Sequence, residues 1–186
     1  MRKLKLQMQI TVDGFVAGPE GQLDWMVWDA DDKKIIARIN ELTDSSDTIL
    51  MGRKMTPGFV QYWESVLTKP DSPEYEFAQK MVDMPKVVFS RTVSTMEGKN
   101  VRVENGPAIE AVKQLKSQPG KDIIVYGGAT FVRSLIEGGV IDELNFVVNP
   151  VAIGSGLQVF SGRQPLQLVS STEYATGEVL NTYRPR

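Results

Sequence analysis

Three short stretches of this chain share one chemistry. "ILMGRKMT" sets Gly52, Arg53, Lys54 and Thr56 directly behind an apolar run, "VVFSRT" does the same with Ser90, Arg91 and Thr92, and "IVYGGAT" with Gly127, Gly128 and Thr130. Glycine lets a backbone approach a ligand closely, and the amides that open a following helix attract anions. The hydroxyls and arginines at the other two junctions add donors and positive charge. A lone Gly-Gly reads most simply as a tight turn. Three such junctions on one sheet edge describe a phosphate-binding surface.

The spacing excludes two common phosphate loops. "GGATFV" is not G-x-G-x-x-G, and no acid follows at about 20 residues to hold a ribose hydroxyl. A G-x-x-x-x-G-K-[ST] loop is also absent, which argues against a kinase or ATPase of that type. The arginines suit a dinucleotide with a 2′-phosphate, whose binding needs cations beside the adenosine ribose and amides at the pyrophosphate. NADPH answers that description.

Composition narrows the chemistry further. The 186 residues include no cysteine and no histidine. A disulfide framework, a thiolate nucleophile, a Ser-His-Asp mechanism and a Cys- or His-ligated metal centre are therefore excluded. A net charge of −2 argues against nucleic-acid or membrane-surface partners, which would demand a basic field, and points to a small-molecule substrate. The opening "MRKLKLQMQI" lacks the continuous apolar core of a signal peptide. No run approaches the ~20 apolar residues of a membrane span, so a cytoplasmic protein is expected. Length and ordinary composition predict one domain over residues 1–186.

The elements that must position these residues follow from periodicity. Leu4, Leu6, Met8 and Ile10 alternate with Lys3, Lys5, Gln7 and Gln9, which predicts a half-buried strand. A loop punctuated by Gly14, Gly18, Pro19 and Gly21 follows; then Asp29 is placed to cap a helix whose apolar face is Ile35, Ile36, Ile39 and Leu42. "DTILMG", "KVVFS", "NVRVE" and "DIIVYG" read as strands. Helices are expected around Phe59, Trp63 and Val66, after Ser72-Pro73, from Pro107, and after the glycine pair. Three strands end the chain, the last two joined near Gly177 as a hairpin. This order specifies an α/β fold: a mostly parallel sheet covered on both faces, with an antiparallel edge.

On the strings "VDGFVAG", "MGRKM", "FSR", "YGGATFV" and "GGVIDELNFVVNPVAIGSGLQVF", in that order and spacing, the chain resembles the dihydrofolate reductase-like family. Within it the chain is most similar to the reductase domain of the bifunctional riboflavin-biosynthesis deaminase-reductase. The resemblance runs to about Phe160. It implies a three-layer α/β/α sandwich, bound NADPH, and a homodimer. It also implies hydride transfer to a small heterocyclic or carbonyl compound such as 5-amino-6-(5-phosphoribosylamino)uracil. Residue by residue, Val16 and Ala17 would border the nicotinamide, and Gly52, Arg53 and Lys54 the pyrophosphate and 2′-phosphate. Ser90 and Arg91 would hold the adenosine end, and Gly127, Gly128, Ala129 and Thr130 the pyrophosphate.

Thr56 departs from the pattern, since Met55 intervenes and displaces it by one place. Trp25 reads equally as a wall of the substrate pocket or as a core tryptophan, and Tyr126 could face the substrate. Asp13 is expected to serve a turn; Asp24, Asp29, Asp31 and Asp32 are expected to cap or face solvent. The terminal "YRPR" is expected on the surface. No H-x-E or P-C-x-x-C zinc signature occurs in these residues, so deaminase activity is not expected of them. Two other readings stay open: a non-catalytic NADPH-binding or interaction module, and a reductase of a pterin-like compound.

Overall fold

A computed structural model describes residues 1–27 and 32–186 of the chain. Strand β1 (Leu4–Thr11) leads through a loop to helix α1 (Lys33–Asp44), and β2 (Ser46–Gly52) follows. Next come α2 (Thr56–Val66), α3 (Tyr75–Asp83), β3 (Lys86–Phe89), β4 (Val101–Glu104) and α4 (Ala108–Ser117). The remainder is β5 (Asp122–Gly127), α5 (Ala129–Glu137), β6 (Glu143–Asn149), β7 (Leu166–Glu173) and β8 (Val179–Pro185). The eight strands among the described residues form one sheet in the order β4-β3-β2-β5-β1-β6-β8-β7. The pairs from β4 through β6 are parallel, while β8 runs antiparallel to both β6 and β7.

The periodicities place two apolar layers against this sheet. Leu4, Leu6, Leu50, Val125 and Leu135 belong to a core between the sheet and α4 and α5. Ile49, Met51 and Ile124 face the other way and pack with Leu42 of α1 and Met81 of α3. A third cluster joins Ile35 and Ile39 of α1 to Val147 and Leu180. Together these make the expected α/β/α sandwich.

Several local expectations shift. Asp29 lies outside the described residues, and the cap of α1 is Asp32, whose carboxylate accepts from the Lys34 and Ile35 amides at 3.0 and 3.3 Å. Helix α3 begins at Tyr75, because the Ser72 hydroxyl accepts from the Glu74 amide and holds that stretch in a turn first. Of the terminal "YRPR", Arg184, Pro185 and Arg186 are exposed as expected, while Tyr183 is half-buried in β8 with its ring 6.5 Å from that of Phe146.

The correction with most bearing on function concerns β1. A strand with one polar face suggests a solvated side, yet β1 sits between β5 and β6 with α1 above it, so Lys5 and Gln7 are buried. Lys5 is satisfied there by Asp122 at 2.8 Å and the Ser45 hydroxyl at 2.9 Å.

Candidate functional site

Topology brings the chemistry-bearing residues to one edge. Register pairs Gly52 with Phe89, Met51 with Gly127, and Thr11 with Asn149, so β3, β2, β5, β1 and β6 end side by side. After β1 the chain passes to α1 on one face of the sheet, whereas after β5 it passes to α5 on the other. Adjacent strands that send their chains to opposite faces leave a crevice beyond their carboxyl ends, where α/β sheets bind ligands.

The glycine turn has two distinct halves. Gly127 has φ +149°, a conformation side chains disfavour, and the Gly127–Gly128 peptide is cis. Gly128 is the N-cap of α5 with φ −78° and ψ 174°, and no side chain caps the helix. The first-turn amides of α5 are thus left to solvent or a ligand. A Cβ on Gly128 would meet nothing within 4 Å. A Cβ on Gly52 would instead come within 3.0 Å of the Phe131 Cβ and 3.2 Å of the Gly128 nitrogen, so Gly52 lets β2 pack against this turn.

Beside the turn stand cations without partners. Arg53, Lys54 and Arg91 are exposed, and none forms an ion pair or side-chain hydrogen bond among the described residues. The Arg53 amide donates to Phe89 O at 3.3 Å, tying the two strand ends together. The Ser90 hydroxyl accepts from the Thr92 and Val93 amides at 3.2 and 3.1 Å, while Asn105 donates to Ser90 O at 2.7 Å. This loop is therefore held in place, with Arg91 projecting from it. Ala129 is half-buried and Thr130 exposed in the first turn of α5. Thr56 is a correction: it is fully buried and its hydroxyl donates to Gly52 O at 3.2 Å, so it supports the turn and presents nothing to a ligand.

On the other side of the crevice Val16 and Ala17 are both buried, Val16 within the core, so they offer backbone more than side chain. Two bonds of 2.8 Å link them to Leu157, from the Val16 amide to Leu157 O and from the Leu157 amide to Ala17 O. Gly156 is required for this link, as a Cβ there would lie 2.2 Å from Ala17 O. Asp13 ties the same two loops, accepting from the Thr11 hydroxyl at 2.6 Å and from the Ile153 and Gly154 amides at 3.1 and 2.7 Å. Those hydrogen bonds, that from Thr11 first, hold its carboxyl below the usual range. Asp13 is a structural anchor, as expected from its type and place. The "NPVAIGSGLQVF" string is accordingly a docking strap for the loop after β1.

Trp25 is half-exposed, belongs to none of the core clusters, and donates its indole N–H to Gln22 O at 3.2 Å. That removes the core reading. Tyr126 points its hydroxyl beneath α1, 3.0 Å from the Thr43 hydroxyl, with its ring 5.9 Å from that of Phe59. Burial pushes its phenol pKa up. Its hydroxyl is committed to the interior, which corrects the expectation that it faces a substrate.

Sequence reasoning missed Gln7, Gln9 and Asn149. Asn149 is fully buried; it donates to Gln9 Oε1 at 2.6 Å and accepts from the Val27 amide at 2.7 Å. For the two glutamines the signal was the run of polar residues on alternate positions of β1, legible only once β1 is known to be central.

An open α/β sheet with a crevice at its strand ends, a bare helix N-terminus and unpaired cations defines a domain of the dihydrofolate reductase-like fold. The family model for the RibD C-terminal domain matches residues 2–180, and the chain belongs to that family. An uncharacterised protein of Bacillus subtilis (strain 168), YyaP, is 32% identical over 187 residues, covering 98% of this chain and 94% of that protein. Among solved structures, a Shewanella sp. PV-4 protein ascribed to riboflavin biosynthesis superposes with TM-score 0.71 at 19% identity over 99% of both chains. The deaminase/5-amino-6-(5-phosphoribosylamino)uracil reductase of Thermotoga maritima gives TM-score 0.66 at 16% identity, covering all of this chain and 57% of that one. Dihydrofolate reductase of Enterococcus faecalis complexed with NADP(H) gives 0.60 at 13% identity, covering 99% and 96%. Family and fold together support a reductase-type function. Among the described residues, no helix is long and apolar enough to cross a membrane and no cluster of metal-ligating side chains occurs.

Proposed function

We propose that this protein is an NADPH-dependent reductase of a small heterocyclic or carbonyl compound, with 5-amino-6-(5-phosphoribosylamino)uracil as the model substrate. The observation that carries this reading is the alignment of Gly52, Gly128, Arg53, Lys54 and Arg91 on adjacent strand ends, with the cations unpaired and the Gly128 side open. Such a donor set fits a dinucleotide phosphate: amides at the N-terminus of α5 suit the pyrophosphate, and Arg53 and Arg91 suit the 2′-phosphate. When bound, the nicotinamide supplies the hydride. The chain's own part is to orient and to shield. The backbone at Val16 and Ala17, held by Leu157, bounds the crevice beyond β1, and Trp25 lies further along the same loop.

The test is NADPH oxidation measured against a panel of pyrimidines, pterins, quinones and aldehydes. Turnover of a uracil derivative is the expected result. Tight NADPH binding without turnover on any compound would identify a non-catalytic binding module, and failure to bind NADPH would overturn the reading altogether.

A further inference from the structure

We propose that Gln7 and Gln9 are the substrate-recognising side chains, and that they select a neutral ring bearing a lactam edge, a carbonyl acceptor beside an N–H donor. The proposal rests on the reductase reading for its location, at the β1 strand end, and on the hydrogen bonds around β1 for its chemistry.

Gln9 comes first, because its orientation is determined. A backbone amide can only donate, so the Val27 N–H requires an acceptor, and the atom of Asn149 facing it at 2.7 Å must be Oδ1. Asn149 Nδ2 then faces Gln9 at 2.6 Å and donates, which its second bond to Val147 O at 3.2 Å supports. Gln9 must therefore turn its own oxygen to Asn149. Its amide nitrogen is left without an acceptor among the described residues, and the residue is only half-buried. A ligand meets a fixed donor there.

Gln7 supplies the complement. It lies two residues deeper on the same face of β1, about 6.6 Å along the strand, and is 8% exposed. Its Oε1 is buried and, like its amide nitrogen, has no hydrogen-bond partner among the described residues, so either amide atom can be turned to a ligand. Leaving a buried polar atom unpaired costs about 1–3 kcal/mol, and an apolar residue at this position would avoid that cost. Its neighbours offer no relief. Tyr126 is engaged with Thr43, and Asn145, which registers opposite Gln7, is engaged with Leu6 O, Glu143 and Thr182. With the unpaired Gln7 amide turned so that its oxygen meets the ring, it and the fixed donor at Gln9 make the two halves of a lactam-recognising edge. Neither side chain is charged, so a cationic or anionic ring gains no ion pair from them.

The experiment measures equilibrium binding of two probes, 5,6-diaminouracil as the lactam and 2,4-diaminopyrimidine as the basic amidine-type ring, with NADPH titrated separately. The wild type should prefer the uracil. Gln7→Leu and Gln9→Leu should each weaken uracil binding by tenfold or more while NADPH affinity stays within twofold. Gln9→Glu should transfer the preference to the diaminopyrimidine, which a carboxylate holds as a cation. Gln7→Leu should also melt higher than the wild type, since it removes the unpaired atom; a lower melting temperature would assign Gln7 to the fold and overturn its role. Unchanged uracil affinity in the leucine variants, parallel losses of uracil and NADPH, or a wild type that binds neither probe would each overturn the proposal. A wild type that binds the uracil but not NADPH would leave it standing and remove the reductase reading instead.

Discussion

Substituting the three turn glycines one at a time separates what the fold requires from what a ligand requires. At Gly52 a methyl would lie 3.0 Å from the Phe131 Cβ and 3.2 Å from the Gly128 nitrogen, and the backbone contact cannot swing away. Overpacking of this kind costs about 1–3 kcal/mol, or a melting point lower by roughly 2–12 °C at this chain length. Gly127→Ala should cost about 1–3 kcal/mol as well, here through the φ of +149°, since the nearest atom, Met55 Sδ at 2.9 Å, belongs to a flexible side chain. Gly128 differs from both. Its backbone is ordinary for any residue, nothing lies within 4 Å of an added Cβ, and as N-cap it is a position serine favours. Gly128→Ser should therefore hold or raise stability by a few tenths of a kcal/mol. The new hydroxyl would take an amide that the pyrophosphate needs, and one charge-assisted bond of about 1.5–3 kcal/mol corresponds to a loss of roughly 10- to 150-fold in NADPH affinity. Thermal denaturation followed by circular dichroism and titration of NADPH fluorescence read the two quantities independently. A Gly128→Ser protein that binds NADPH like the wild type, or that melts as low as Gly127→Ala, would refute the assignment of this turn to the cofactor.

Arg53→Ala and Arg91→Ala should weaken NADPH by about 1–2 kcal/mol each, discounted for exposure, and spare NADH; equal losses for both cofactors would move these arginines off the 2′-phosphate. Raising the ionic strength should erode the same preference, because exposed contacts are screened. Lys86, buried and donating to Met81, Val82 and Met84 carbonyls at 2.8, 2.9 and 2.7 Å, closes the end of α3, so Lys86→Met should destabilise the fold by about 1–3 kcal/mol in urea denaturation at pH 7. Burial also pushes the Lys86 pKa down to about 8 from 10.5, so between those values the unfolded chain holds more protons and wild-type stability should rise with pH, a slope Lys86→Met should lack. Dihydrofolate should turn over slowly in a steady-state assay, because α1 buries Ile35, Ile39 and Leu42 and places no acid on that face.

Much of this architecture is legible in the sequence because its signals are local. Alternation marked β1, short apolar runs marked β2, β3 and β5, and Pro107 and Gly177 marked the ends of elements at which the structure also turns. Where a reading failed, a tertiary contact outweighed the local signal. Thr56 looked like a ligand hydroxyl and is spent on Gly52 O; Tyr126 looked like a substrate contact and is spent on Thr43. Strand order is the information that periodicity lacks. The chain adds β2, β3 and β4 outward from one side of β1, then returns to insert β5 between β2 and β1 and to lay β6 on the far side. No window of residues reports that return.

The return changes what a polar residue on β1 means. On a half-exposed strand Gln7 and Gln9 would be solvated at no cost and would carry no message. On a central strand under a helix, each amide atom must find a partner or leave its desolvation unpaid. Among the described residues this demand is met for Lys5, for Asn145 and for Asn149, and left open at the Gln7 amide and at the Gln9 nitrogen. Because the satisfied and unsatisfied groups share one face of adjacent strands, general looseness of packing does not explain the pattern. Gln7 and Gln9 follow one another on the face of β1 beneath α1, on the carboxyl side of Lys5, and Gln9 is only half-buried, so one bound ring could complete both.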